Sequence, residues 1–324
     1  MVLLINLLVS LIAQQKGGIK GEGYGGLMAK KKSDSGVEKI KKRVAAMVRE
    51  RPSHKEVLEF FKDVLTEHYA IRSKVKSIPL EIDEKDAKSK MREGFPLVEK
   101  SALTLDIPSA TRMFKRLCKI LSSNRKAATD ADKISKALRS KKIDLLELFK
   151  HVDSDHTEYI DALSKELGVK QETILFLARN SITPILEAYA EGLRKYVDQE
   201  KWWRGYCPIC GSEPFMAELK EEGARFLVCS ACGYEWRFNR LKCPFCEHEA
   251  SAGAKYFFTE KEGKAYRIDV CEDCKRYIKT VDTKELGEDI IPLIEDAGTL
   301  HLDILAQKEG YTKEKMASKT AKLS

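Results

Sequence analysis

Helical periodicity from about Ser35 to Val197, and four Cys-x-x-Cys pairs within the sixty-eight residues from Cys207 to Cys274, predict a fold of α plus small β. The expected architecture is an N-terminal helical bundle, two tandem metal modules of the rubredoxin-like or zinc-ribbon kind, and a short C-terminal helix. The chain has 324 residues, 43% hydrophobic and 33% charged. That length allows two or three domains, and the apolar fraction supports a real core and argues against global disorder. The expected blocks are a leader at 1–27, a helical domain at 28–198, a first four-cysteine metal module at 199–240, a second at 241–285, and a helical tail at 286–324.

The leader opens with an apolar run, Met1 to Ala13, too short for the ~20 residues that span a bilayer. It has no positive n-region and no small-x-small cleavage site, so it does not read as a secretory signal. A glycine-rich stretch, Lys16 to Leu27, then precedes Met28, as a translated purine-rich ribosome-binding site would. The expectation is translation from Met28, which an intact mass checks. A weak amphipathic anchor is the alternative, and no stable membrane insertion is expected.

In the helical block, Ser53-His-Lys-Glu56 after Pro52 reads as a capping box. It leads into a helix whose apolar face is Val57, Phe60, Phe61, Val64 and Leu65. Pro79 and the charged stretch Glu81–Lys90 should interrupt the pattern. Ile107-Pro108-Ser109 restarts it, and in that helix Phe114, Leu117, Cys118 and Leu121 share one face, so Cys118 reads as a buried apolar thiol. Lys133–Lys150 carries Ile134, Leu138, Leu145, Leu146 and Phe149, and Asp155–Leu167 should stop at Gly168. Gln171–Val197 is long and apolar, with Pro184 expected to kink or split it. His54, His68, His151 and His156 share no ligand spacing and read as ordinary surface or core residues.

The paired cysteines carry the chemistry. Disulfides belong to oxidising compartments and small secreted chains, unlike this long, lysine-rich one. A thioredoxin-like redox site needs one Cys-x-x-Cys, not four at paired intervals. Two thiolates on one tight turn grip one metal, and two such turns complete a tetrahedron. In Cys207-Pro-Ile-Cys-Gly211, Pro208 fixes φ and Gly211 permits the left-handed turn. Phe215–Leu219 and Ala224–Val228 read as a hairpin that delivers Cys229 and Cys232, with eighteen residues between Cys210 and Cys229. The unit repeats: Cys243 and Cys246, strands Lys255–Glu260 and Ala265–Val270, then Cys271 and Cys274. The repeat favours sequential sites, Cys207/Cys210/Cys229/Cys232 and Cys243/Cys246/Cys271/Cys274, with an interleaved cross-brace left open. Two metal ions are implied, iron of the rubredoxin type or zinc, because sulfur-only ligation suits either. A closed set of four sulfurs leaves no position for substrate, which weighs against catalysis. His248 is a stray candidate ligand that four sulfurs make unnecessary.

Charge separates two functional classes. The formal net charge is +8, yet Lys195–Glu285 holds sixteen Lys/Arg and sixteen Asp/Glu. A divalent ion held by four thiolates adds two further negative charges at each site. The basic excess lies upstream, in Lys30–Lys32 and Lys39–Arg43, where it reads as a solvated face. The metal region is therefore a poor nucleic-acid surface, and Trp202, Trp203 and Tyr206 before the first knuckle read as packing rather than base-stacking residues. No nucleic acid is expected as a partner.

Several stretches together resemble the formate dehydrogenase accessory protein family (FdhE): Cys207–Ser212, Gly223–Cys232, Glu235-Trp236, Arg240–Cys246, Cys271–Lys279, Asp296–Leu305 and Glu309–Tyr311. The resemblance covers residues ~200–311. It implies a helical domain followed by tandem rubredoxin-like modules whose Cys-x-x-Cys pairs are associated with iron. It also implies a non-enzymatic cytoplasmic protein that acts on the catalytic subunit of formate dehydrogenase, in maturation or quality control before assembly. Arg225, Arg237, Arg240 and Arg267 lie on or beside the expected strands, and Trp236 and Tyr277 follow the closing knuckles at similar offsets. They either pack the modules together or, for Trp236, Arg240 and Tyr277, form a client-binding surface. The competing classes are a nucleic-acid-binding zinc-ribbon protein and a rubredoxin-like electron carrier.

Overall fold

A computed structural model describes residues 35–75, 82–152, 158–249, 255–287 and 290–313. The leader at 1–27, Pro79 and His156 lie outside them. Among the described residues no helix is long and apolar enough to cross a membrane. The described residues form two compact units: those within 35–75 and 105–185, and those within 82–104 and 186–313. The first is helical. The second holds all eight paired cysteines, and it draws one helix and a loop from the middle of the helical block.

The helical unit comprises α1 (Ser35–Glu50), α2 (Lys55–Arg72), α4 (Ile107–Ser122), α5 (Ala128–Arg139), α6 (Leu145–His151), α7 (Glu158–Leu167) and most of α8 (Gln171–Leu193). Met47, Leu58, Phe61, Met113, Phe114, Leu117, Leu148 and Leu177 fill its core. Cys118 is buried there, which pushes its thiol up to about 11. The expected capping box does not form. Pro52–His54 makes a 3-10 turn, α2 starts at Lys55, and no side chain caps it. The cap of α4 is Asp106, whose carboxylate accepts from the Ser109 N–H and hydroxyl. The Lys133–Lys150 stretch is two helices, because Lys141 takes a left-handed conformation at φ 57°. Lys142 N then bonds back to Ala137 O, and Asp144 starts α6 by accepting from Leu146 and Glu147 N–H. Gly168, at φ 59°, ends α7.

Helix α8 runs unbroken through Pro184. A proline there cannot donate to the carbonyl four residues back, that of Asn180. His68 of α2 hydrogen-bonds to that same backbone group. The free carbonyl is satisfied from outside the helix, so the proline costs less than its position suggests.

In the second unit, the charged stretch expected to interrupt the helical pattern contributes a helix of its own, α3 (Glu84–Glu93). Asp83 caps its start by accepting from Lys85 and Asp86 N–H, and Gly94 at φ 82° ends it. The loop that follows lies along the first knuckle: Leu97 N bonds Pro208 O at 2.8 Å and Val98 N bonds Ile209 O at 3.0 Å.

One six-stranded sheet follows, in the order β3-β2-β1-β6-β5-β4. The strands are β1 (Pro214–Leu219), β2 (Arg225–Cys229), β3 (Glu235–Arg237), β4 (Lys255–Phe257), β5 (Tyr266–Val270) and β6 (Tyr277–Asp282). β1–β3 belong to the first cysteine module and β4–β6 to the second. The modules join where β1 pairs with β6 in parallel, Met216 opposite Lys279 through Leu219 opposite Asp282. All other pairings of these strands are antiparallel. After β6 come α9 (Thr283–Leu286), α10 (Pro292–Gly298) and α11 (Leu300–Lys308). From β6, Lys279 bonds to Asp296 O at 2.7 Å and Asp303 Oδ2 at 2.6 Å, tying α10 and α11 to the sheet.

Candidate metal centres

The four cysteine turns share one geometry. In each, the N–H of the first cysteine donates to the carbonyl five residues on, at 2.9 Å: Cys207 to Ser212, Cys229 to Tyr234, Cys243 to His248 and Cys271 to Arg276. The residue four after that cysteine is left-handed every time: Gly211, Gly233, Glu247 and Lys275, with φ of 72°, 66°, 57° and 54°. This winds the chain so that amides point at sulfur. Ala231 N and Cys232 N each lie 3.4 Å from Cys229 Sγ, and Phe245 N lies 3.4 Å from Cys243 Sγ. Glycine takes the left-handed position at no steric cost, which marks the first two turns in the sequence. The last two use charged residues, which sequence reasoning passed over.

The sulfurs gather in two sets of four, Cys207/Cys210/Cys229/Cys232 and Cys243/Cys246/Cys271/Cys274, each set within 4.8 Å. Among the described residues no interleaved set forms. In the first set, Cys207–Cys232, Cys210–Cys229 and Cys210–Cys232 are 3.7, 3.5 and 3.6 Å apart. In the second, Cys243–Cys274 and Cys246–Cys271 are 3.7 and 3.6 Å apart. A metal at about 2.3 Å from four thiolates requires tetrahedron edges of about 3.8 Å, whereas a disulfide holds its sulfurs at about 2.05 Å. Both sets therefore fit a metal ion and neither fits a disulfide. Two four-cysteine clusters could bind two metal ions, and each cluster is a closed set. In the first, burial pushes the Cys207 thiol up.

The two sets differ in exposure. Cys207, Cys210, Cys229 and Cys232 are all buried. Cys246 is exposed, Cys243 and Cys274 are half-buried, and only Cys271 of the second set is buried. His248 is not a member of either set; its Nε2 sits 3.4 Å from Asp273 Oδ2.

Charged side chains bind the modules together. Arg276, just past the last knuckle, makes a two-pronged pair with Glu213 of the first module at 2.8 and 2.7 Å. Its guanidinium stacks 3.7 Å from the Phe245 ring, inside the third knuckle, and donates to Lys313 O. On the sheet, buried Arg225 of β2 reaches Lys242 O at 3.1 Å and Asp269 Oδ2 of β5 at 3.5 Å. Asp269 also takes Arg267 at 2.8 Å and the Thr280 hydroxyl at 2.7 Å. Glu247 accepts from Gly205 N at 3.0 Å and pairs with Arg204 at 3.2 Å. None of these partners was legible from spacing, although the recurrence of a knuckle residue four after each leading cysteine was a usable signal.

Of the three residues weighed as a client surface, only Arg240 is exposed; it lies over the β1–β2 turn, with Nη1 2.6 Å from where a Cβ on Gly223 would stand. Trp236 and Tyr277 are 0% and 1% exposed. The Trp236 indole donates to Arg204 O at 2.9 Å, and the Tyr277 hydroxyl donates to Asp303 Oδ1 at 2.9 Å. Both rings pack the unit, and Arg240 is the exposed member of the trio. Trp202 is also buried, its indole on Tyr206 O, while Trp203 is 44% exposed.

The family models "FdhE, central domain" and "FdhE, C-terminal domain" match residues 206–240 and 241–318, the stretch that holds both sulfur sets. Residues 206–318 are thus similar to the FdhE family. The "Protein FdhE homolog" of Aquifex aeolicus (strain VF5) is 27% identical over 278 residues, which is 84% of this chain and 90% of that protein. "Protein FdhE" of Escherichia coli (strain K12) is 34% identical over 113 residues, 34% of this chain and 36% of that protein. The crystal structure of the FdhE protein from Pseudomonas aeruginosa shares the fold, with a TM-score of 0.59 at 19% identity, over 86% of this chain and 94% of that one.

Proposed function

We propose that this protein is a cytoplasmic accessory protein of formate dehydrogenase. It binds the catalytic subunit of that enzyme and supports its assembly or quality control, and it is not itself an enzyme. The observation that supports the reading is the match of residues 206–318 to the FdhE family models, together with two closed sulfur sets that leave no ligand position for a substrate. Cys207, Cys210, Cys229 and Cys232 hold one metal ion, and Cys243, Cys246, Cys271 and Cys274 hold the other. Bound there, the ions cross-link turns that the short strands could not fix alone. The residues around them orient sulfur through N–H donors and neutralise charge through Arg276 and Arg225.

The test is a pull-down of the formate dehydrogenase catalytic subunit with wild type and Arg240→Ala. The variant should recover several-fold less client at unchanged metal content. Equal recovery removes Arg240 from the contact, and no recovery by wild type sinks the function. Elemental analysis of anaerobically purified protein assigns the metal. Iron gives a red colour that bleaches on reduction, and zinc gives colourless protein.

A further inference from the structure

The two sulfur sets share backbone geometry but not access. The set at Cys207, Cys210, Cys229 and Cys232 is 0%, 6%, 1% and 3% exposed. It is flanked by Leu97 and Val98, which bond Pro208 and Ile209, and by Pro96, which stands 3.2 Å from where a Cβ on Gly211 would be. An incoming donor reaches a metal held there only if that loop or the β1–β2 hairpin opens. The other set opens at one corner. Cys246 is exposed, and its neighbours on that side are the surface pair His248 and Asp273, each about half exposed. Behind it the set is held firmly, by Arg276 over Phe245 and by Glu247 on Gly205. One sulfur can therefore leave while three keep their places.

We infer that this second set is an exchange site for a thiophilic divalent ion, Zn²⁺ or Fe²⁺, opening at Cys246, while the first set is a permanent staple. In the exchange step an incoming donor forms a bond to the metal. The bond to Cys246 breaks, its sulfur departs with the electron pair and takes a proton from solvent, and no redox change occurs. The inference rests on the proposal that both sets bind metal, and it adds which of them is open.

The test uses the full chain loaded with zinc and challenged with excess of the chromophoric chelator 4-(2-pyridylazo)resorcinol. Zinc should leave in two equal phases, the first about 100-fold faster, because the second waits on local opening of the fold. Alkylation with iodoacetamide during the fast phase, mapped by mass spectrometry, should label Cys246 first and leave Cys207, Cys210, Cys229 and Cys232 unlabelled. Cys246→Ser should lose the fast phase and keep one slow zinc. Release of both ions in a single phase, or early labelling of the first set, overturns the inference while leaving the metal reading intact. A protein that binds no zinc in titration overturns both.

Discussion

Buried His68 shows how a single ring can repair a helix and make the unit sensitive to acid. Its pKa is lowered to about 4, chiefly by burial, with the bond to Asn180 acting the other way. The unfolded chain binds a proton near pH 6.5 and the folded chain does not until about pH 4. Stability is therefore complete above pH 6.5, falls between 6.5 and 4, and levels off below, a loss of about 3 kcal/mol. His68→Gln keeps a donor for the Asn180 carbonyl but cannot titrate. Its melting temperature should drop less than that of wild type between about pH 7 and pH 4.5, and equal drops would count against the mechanism. Arg276 is the second residue with a disproportionate role, since one guanidinium serves Glu213, Phe245 and Lys313. Arg276→Lys keeps the charge but not the planar fork, and a loss of about 2 kcal/mol is expected in urea unfolding.

At the scale of elements, the helices α10 and α11 meet the sheet through charge as well as apolar contact. Lys279 and Lys313 face Asp296 and Asp303, all of them 7% exposed or less. Burial alone would raise the Asp296 carboxyl, and the two lysines overcome that and hold it down to about 2. Lys279→Met strands a carboxylate in the core and should cost about 3–5 kcal/mol. The double variant Lys279→Met/Asp303→Leu leaves Lys313 with Asp296 and should recover at least half of that in the same denaturation curve. A different contact governs the link from the first knuckle to the third: a Cβ on Gly205 would overlap the Pro244 carbonyl. Gly205→Ala should cost about 2 kcal/mol or more, because a backbone carbonyl has to move.

These elements also mark what local pattern reveals. The knuckles and the first hairpin were readable because cysteine spacing and Gly211 state their geometry outright. β3 and β6 were not, since three residues such as Glu235–Arg237 carry no periodicity, and Tyr277–Asp282 hides a buried lysine among apolar neighbours. The capping box failed at Ser53 because Pro52 opens a 3-10 turn instead. α3 was missed because its apolar face is only Ala87 and Met91. Its caps, Asp83 and Gly94, were the available signal. The Arg276–Glu213 and Asp269–Thr280 pairs were out of reach, because they span 63 and 11 residues and depend on how the strands are ordered.

Across the whole molecule, the two cysteine modules are joined as one sheet while their sulfur sets stay separate. Replacing Cys207 and Cys210 with serine should therefore lower the metal content from two to one, yet also loosen the second module through β1 and β6. The measurable result is one remaining metal and a lower melting temperature for the domain that holds it. A variant that keeps its second module at full stability would argue that the β1–β6 junction carries little energy.

The parallel junction also sets an order on synthesis. β1 emerges from the ribosome early and pairs with β2 at once, but its other neighbour is the last strand of the sheet to be made. Until Asp282 is out, the nascent chain carries a bare strand edge of buried-type residues, Met216, Ala217 and Leu219. Such an edge invites pairing with other chains. A chain stopped before Tyr277 would then leave that edge open to pairing with its own kind.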